Sequence, residues 1–352
     1  SGTTGVTKGV MMTHANLVSN CRATTRTFRL SQDDVFLALL PMFHTFCWMV
    51  DVIIPLSLGA KIVNAVSVAP PKPWLETLSR HGVTVLAAVP PVWVLLSKSA
   101  AAQELIRAGG LFRTLRVLIS GAAPLSKQTL ADVKSVYGLD ITEGYGLTAT
   151  SPVATVNPLG APRPGSIGVP IDGVEVRIVG EDGRELETGA EGEIEIRGPN
   201  IMKGYYMDEA ATRAAVSSAG WFKSGDIGAR DEDGYFHIRD RKKDMIIIKG
   251  LKVFSAQVEK VLLGHPAVSE AAVIGIPDGE GNERIKAFLV LAEGGSATVP
   301  ELHAFCREQL DAYKRPREIE FLAELPKNAL KKTLKRELRE RELAKSKKGA
   351  PA

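Results

Sequence analysis

The most constraining feature of this chain is the alternation, over its first half, of short apolar runs with stretches of helical spacing. Val35–Leu40, Val83–Val89 and Leu115–Ile119 are rich in Val, Leu and Ile, as strands buried on both faces are. Between them, Pro73–His81 and Ser126–Tyr137 carry helical spacing. This alternation predicts an α/β layered sheet.

From Thr150 the texture changes. A Pro/Gly-rich stretch, Asn157–Pro170, precedes strand-like Val174–Val179 and Gly192–Arg197, with Glu181-Asp182-Gly183 as the turn between them, which predicts a mainly β subdomain over 151–240. After the turn Asp231-Glu232-Asp233-Gly234, strand-like Tyr235–Arg239 runs into five charges, Asp240–Asp244. Five consecutive charges are expected to stay in water, so a domain boundary is placed there. The remainder predicts a compact α+β unit: strand Met245–Ile248, the turn Lys249-Gly250, a helix with Ser255 as N-cap, and strands Ala271–Ile276 and Ala287–Leu291.

Composition narrows the function classes. At 352 residues the chain exceeds one ordinary core, and 45% hydrophobic with 24% charged residues describes a globular protein. The apolar run Trp48–Leu58 is interrupted by Asp51 and Pro55 and falls short of the roughly 20 residues a bilayer span needs. Three scattered cysteines, Cys21, Cys47 and Cys306, make neither a disulfide framework nor a zinc site and favour a reducing, cytoplasmic setting. The net charge of +4 is local: residues 327–348 hold ten Lys and Arg against three Glu, leaving the rest of the chain net negative. These charges follow a presumed helix, Thr333–Ala344, with Leu334, Leu338 and Leu343 on its apolar side. That is expected to be a solvated helical face, without the spread charge and interleaved aromatics of a nucleic-acid binder. The first residue is Ser1, inside a glycine-rich segment, so the natural beginning and any targeting segment are expected to lie upstream.

Two glycine clusters carry chemistry. Ser1-Gly2-Thr3-Thr4-Gly5-Val6-Thr7-Lys8-Gly9 combines glycines, hydroxyls and a lysine, the donors that grip phosphate oxygens. It is not a Walker motif: Thr7 stands where glycine is required, and Gly9 follows Lys8. A flexible polar terminus is the alternative reading. Gly144-Tyr145-Gly146-Leu147-Thr148-Ala149 fits the dinucleotide pattern, but Pro152 and Pro158 follow where that fingerprint needs a helix.

Taken in order, Ser1–Gly9, Pro41-Met42-Phe43-His44, Ser120-Gly121-Ala122-Ala123-Pro124, Tyr145-Gly146-Leu147-Thr148, Gly192-Glu193-Ile194 with Arg197-Gly198, Ser224-Gly225-Asp226, Asp240–Asp244 and Leu325-Pro326-Lys327-Asn328-Ala329 resemble acyl-CoA synthetases of the adenylate-forming, AMP-binding superfamily. The resemblance covers essentially the whole chain and implies that a long N-terminal region precedes Ser1. It implies a two-step reaction: a carboxylate attacks the α-phosphate of ATP to give acyl-adenylate and pyrophosphate, then a thiol, usually that of CoA, displaces AMP.

The implied roles follow residue by residue. Ser1, Gly2, Thr3, Thr4, Gly5 and Lys8 would hold the β- and γ-phosphates. Gly121, Ala122 and Ala123, with Gly144, Tyr145 and Gly146, would face the adenine, and Thr148 the α-phosphate. Asp226 would accept the ribose diol with Arg241 beside it, and Lys332 would bridge the attacking carboxylate and α-phosphate. His44 would gate an acyl pocket lined by Phe46, Trp48 and Val52, which suits a medium- or long-chain fatty acid or another hydrophobic acid. The implied architecture is a core domain over 1–240, a hinge at 241–243 turning about Lys243, a mobile C-terminal domain over 244–342 whose Gly250 loop approaches pantetheine, and a basic tail over 343–352. Read without the family, Tyr145 is a core aromatic, Asp226 a turn residue and Lys332 one lysine of a charge run.

The pattern departs at two places. Where the family has a magnesium-binding glutamate after Thr148, this chain has Ala149, and Lys331 replaces the glycine that usually precedes the catalytic lysine. ATP, CoA and Mg²⁺ are the implied cofactors and cosubstrates. The alternatives are an acyl-AMP ligase that loads a carrier protein, or a degenerate nucleotide-binding fragment without turnover.

Overall fold

The computed structural model describes residues 8–99, 102–104, 113–278, 282–328 and 332–348. The described residues form two compact units, one from 8–224 and 228–238, the other from 225–227 and 239–348.

The first unit is organised by a seven-stranded sheet in the order Lys61–Asn64, Val35–Ala38, Val85–Ala88, Val117–Ser120, Ile141–Gly146, Val153–Val156, Val169–Pro170. The first five strands are parallel and the last two join antiparallel. All four residues of Val85–Ala88 and of Val117–Ser120 are buried, which is why these runs read as continuous apolar sequence. Alternate side chains feed two cores: Phe36, Val85, Val117 and Ile119 pack into one, Leu37, Leu86 and Leu118 into the other. Helices His14–Thr27, Lys72–His81, Pro90–Lys98 and Lys127–Tyr137 accompany the sheet. Ser126 caps the last of these by accepting from the Thr129 amide, and Gly138 ends it at φ +70°. A second sheet, Phe236–Arg241, Phe222–Arg230, Gly192–Arg197, Glu175–Val179, follows the Pro/Gly-rich stretch. Among its side chains, Arg177 and Arg197 both place guanidinium groups over the Trp221 ring, at 4.1 and 4.6 Å.

The run Trp48–Leu58 folds as a π-helix, Trp48–Ile53, continued by an α-helical turn, Ile54–Leu58. Asp51 does not break this helix, and it is fully buried.

The second unit packs helices Ser255–Leu263, Val299–Gln309 and Lys335–Lys348 with the sheet Val268–Pro277, Glu283–Leu291, Glu318–Phe321. Its cores gather Val258, Leu262, Val273 and Leu302, and separately Ile274, Phe288, Leu325 and Leu338. Strands Ile246–Ile248 and Leu251–Val253 form a hairpin closed by Lys249 and Gly250, at φ +49° and +81°. Two left-handed central residues match the right-handed twist of a two-residue hairpin.

Three expectations are corrected here. Ser255 is the first helical residue, with Phe254 at the cap position, because its hydroxyl is committed to Asp240, 2.8 Å away. Asp240 and Asp244 are buried, not solvated: Asp240 receives the Ser255 hydroxyl and Asp244 pairs with Arg339 at 2.9 Å. The C-terminal helix runs Lys335–Lys348, with Leu338 buried but Leu343 exposed; Glu342 takes the inward position and pairs with buried Lys286 at 2.7 Å.

Candidate functional site

In the first unit the motif residues collect at the ends of the parallel strands and the turns that leave them. Val117–Ser120 delivers Gly121, which is buried because the Phe46 ring lies over it; a Cβ there would sit 3.4 Å from that ring. Ala122 follows at φ +70°, an uncommon conformation for a residue with a side chain, and Ala123 is exposed. Ile141–Gly146 delivers Gly144, Tyr145 and Gly146. Gly146 has no alternative: a Cβ would lie 1.8 Å from the Pro152 carbonyl oxygen. Tyr145 is half-buried and packs on the core beside the sheet.

Thr148 opens a short 3-10 turn, Thr148–Thr150, fastened from behind. Asn20 and Asn200 donate to the Thr150 carbonyl at 3.4 and 2.9 Å. The Thr148 hydroxyl lies 3.4 Å from that of Thr45. His44 caps the short helix Thr45–Cys47 through Nδ1, which accepts from the Phe46 amide at 3.3 Å. One short segment therefore touches both Thr148 and Gly121. Lys8 places its ammonium 5.0 Å from the centre of the Tyr205 ring. Ser1, Gly2, Thr3, Thr4, Gly5 and Thr7, like Lys331, lie outside the described residues.

The second unit brings together Asp226, Arg241 and Lys332. Asp226 is 5% exposed, and Arg241 Nε lies 3.4 Å from its Oδ1. Asp240 fixes the start of this segment by accepting from the Arg241 amide at 2.8 Å. Lys332 is held by reciprocal bonds with Asn328: its amide donates to the Asn328 side chain at 2.9 Å, and its carbonyl accepts from the Asn328 amide at 3.0 Å. The Lys332 pKa is lowered to about 8 by loss of hydration, then by the positive charge of Arg241 and Lys243, against the pull of Asp226 and Asp244. Lys332 keeps an exposed surface, and the Arg241 and Lys243 cations crowd its ammonium. Lys243 is exposed, and Gly250 is exposed at its hairpin turn.

The described residues do not fit a magnesium ion held by the protein. Ala149 is 5% exposed, and its carbonyl already accepts from the Met202 amide at 2.8 Å. Among the described residues no group of three or more His, Cys, Asp and Glu is arranged to hold a metal. No helix among them is long and apolar enough to cross a membrane.

The family model for AMP-binding enzymes matches residues 1–206, and that for the AMP-binding enzyme C-terminal domain matches residues 257–332. The chain belongs to the AMP-binding enzyme family. Among its relatives, a long-chain-fatty-acid–CoA ligase of Yersinia pestis is 36% identical over 97% of this chain and 60% of its own length. A probable 4-coumarate–CoA ligase of Dictyostelium discoideum is 36% identical over 97% of this chain and 62% of its own. The crystal structure of ATP-bound MatB from Rhodopseudomonas palustris superposes with a TM-score of 0.89 at 33% identity, covering 97% of this chain and 66% of that one. The chain thus spans about 60% of the length of the first of these relatives.

Two residues escaped the sequence, Thr45 and Lys335. Thr45 beside Thr148 has no signal in a motif that ends at His44. Lys335 beside Ser255 and Glu259 is masked by the charge run around it, although its place three residues after Lys332 was visible.

Proposed function

We propose that this chain provides the adenylating and thioester-forming machinery of an AMP-forming acid–thiol ligase. The observation that carries the reading is the grouping of Asp226, Arg241 and Lys332 in one unit of an AMP-binding enzyme: a buried carboxylate suited to a ribose diol beside two cations suited to phosphate and carboxylate oxygens.

In the first step a carboxylate oxygen attacks the α-phosphorus of ATP. The bond between the α-phosphorus and the bridging oxygen breaks, and pyrophosphate leaves with the electron pair. Lys332 in its ammonium form would neutralise charge between the two anionic reactants, which removes their mutual repulsion. Ser1 to Lys8 would hold the departing phosphates and Thr148 the α-phosphate. Gly121–Ala123 and Gly144–Gly146 would present backbone to the adenine, with Tyr145 offering its ring face. In the second step a thiolate attacks the acyl carbon and AMP leaves with the bonding pair. The Lys249-Gly250 turn would approach the pantetheine, and Lys243 would serve as hinge.

The acid we assign is a medium- or long-chain fatty acid. Phe46, Trp48 and Val52 support an apolar pocket: the Phe46 ring faces Gly121, and Trp48 is 45% exposed although apolar. ATP–pyrophosphate exchange with saturated acids, coumarate, malonate and sulfoacetate tests both levels. Exchange highest with the fatty acids supports the assignment; exchange highest with another acid overturns the substrate but keeps the activity. Thioester formation with CoA against a pantetheinylated carrier protein identifies the acceptor. Nucleotide binding without exchange for any acid would leave the non-catalytic reading standing.

A further inference from the structure

A buried polar chain in the second unit is not used by the proposed reaction. Lys335, the first residue of the C-terminal helix, places Nζ 2.6 Å from Glu259 Oε1 and donates to the Ser255 hydroxyl at 2.8 Å. Ser255 in turn lies 3.1 and 2.8 Å from the two carboxylate oxygens of Asp240. Ser255 is fully buried, Asp240 is 5% exposed, and the Lys335 and Glu259 side chains are 16% and 17% exposed. Glu259 also accepts from the Val273 amide at 2.7 Å. One ammonium thus stands between two acids. Burial raises the Glu259 pKa, Lys335 opposes that, and the Asp240 charge adds to it.

Packing alone does not require this arrangement. The two helices already bury Val258, Leu262 and Leu338, and apolar residues in place of an ion pair are commonly as stable or more so. What the chain of contacts does achieve is a link between two functional segments. At one end Lys332 lies three residues before Lys335, on a non-helical segment tied down by the Leu334 amide donating to the Pro326 carbonyl at 2.8 Å. At the other end Asp240 accepts from the Arg241 amide at 2.8 Å.

We propose that Lys335 is a positioning residue for adenylation, joining Glu259 to Asp240 through Ser255 and so holding Lys332 and Arg241 in one frame. This rests on the role of Lys332 given above. Lys335 touches no substrate in this scheme and acts only through the two segments it ties. The groups that face Lys332 in that frame are Arg241, Lys243, Asp226 and Asp244.

The test compares Lys335→Met, Lys335→Arg and Ser255→Ala, with Arg336→Ala as an exposed neighbouring control. Acetylation of Lys332 by acetic anhydride, followed by peptide mass spectrometry from pH 6 to pH 11, reports the frame without requiring turnover. Loosening the frame lets Lys332 return toward an ordinary lysine, so K335M is expected to slow its labelling at pH 8 about fivefold, the effect of a rise of one pKa unit from about 8. S255A should move the profile the same way by less, K335R should restore it, and R336A should leave it unchanged. In parallel, ATP–pyrophosphate exchange should fall about 100-fold in K335M, the usual effect of misplacing a reacting group by an ångström. Thioester formation from supplied acyl-adenylate should change by less than about threefold.

An unchanged Lys332 profile in folded K335M overturns the proposal, as does an equal loss in both half-reactions. If K335M does not fold, S255A decides, because it breaks the link to Asp240 while leaving the Lys335–Glu259 ion pair in place. If the unsubstituted chain shows no exchange with any acid, the activity reading fails, while the labelling comparison still decides the positioning claim.

Discussion

Arg241 sets its guanidinium Nε 3.4 Å from Oδ1 of Asp226, and the two side chains are 33% and 7% exposed. A carboxylate this buried needs a cation nearby, and a carboxylate that can accept two hydrogen bonds suits the paired hydroxyls of a ribose. Asp226→Ala should therefore raise the KM for ATP about tenfold to hundredfold, the range for a hydrogen bond to a charged group, with a smaller change in kcat. Steady-state kinetics with ATP and with 2′-deoxy-ATP check this; equal loss with both nucleotides would count against a ribose contact.

Lys332 should titrate within the assay range. Its folded pKa of about 8 lies below the ordinary lysine value of about 10.4, so the folded chain releases a proton that the unfolded chain still holds between those pH values. Stability from this group accordingly rises with pH from about 8 to 10.4, and below 8 the charged amine opposes folding. Lys332→Met should flatten that rise in urea titrations. It should also reduce pyrophosphate exchange by about 100-fold or more, the scale for losing one electrostatic stabiliser of a transition state. In the unsubstituted chain, exchange at saturating ATP should decline once the amine is neutral; a flat profile to pH 10 would remove Lys332 from the charged role.

Ala149 occupies a buried position at the turn that presents Thr148, and its methyl offers no oxygen. A hard cation bound with nucleotide commonly keeps one or two carboxylates among its ligands. Ala149→Glu should lower the free Mg²⁺ needed for half-maximal acyl-adenylate formation and raise its rate. An unchanged Mg²⁺ dependence sinks the idea that this position limits the reaction.

The strand runs of the first unit were legible because both faces of Val85–Ala88 and Val117–Ser120 are covered, which leaves an uninterrupted apolar signature. Asp226, Arg241 and Lys332 were legible as family motifs, and the resemblance already implied Arg241 beside Asp226; the contacts that hold them, such as Asn328 on Lys332 and Asp240 on the Arg241 amide, were not, since proximity depends on pairing that the motifs do not record. Charge was the least readable property. Asp244 looked solvated because its partner Arg339 lies on the last helix, and Leu343 looked buried because nothing local reveals that Glu342 reaches Lys286. A charge run gives the number of ions and conceals which of them are paired.

Asp51 illustrates the same limit and gives a stability prediction. It is fully buried in the π-helix, its Oδ2 lies 3.3 Å from the Cys47 thiol, and its Oδ1 has no hydrogen-bond partner among the described residues. Burial raises its pKa to about 8, the thiol opposing this only in part. A carboxyl that stays protonated in the folded chain while the unfolded chain ionises near 3.9 contributes stability that is complete below that pH. The contribution declines above it and is lost as pH passes about 8. Asp51→Asn keeps the shape and removes the titration. Its stability relative to the parent should therefore improve steadily between pH 4 and pH 8, and urea midpoints measured across that range check the slope. A constant difference between the two proteins would mean that Asp51 is ionised in the folded chain, with a cation or water at its second oxygen.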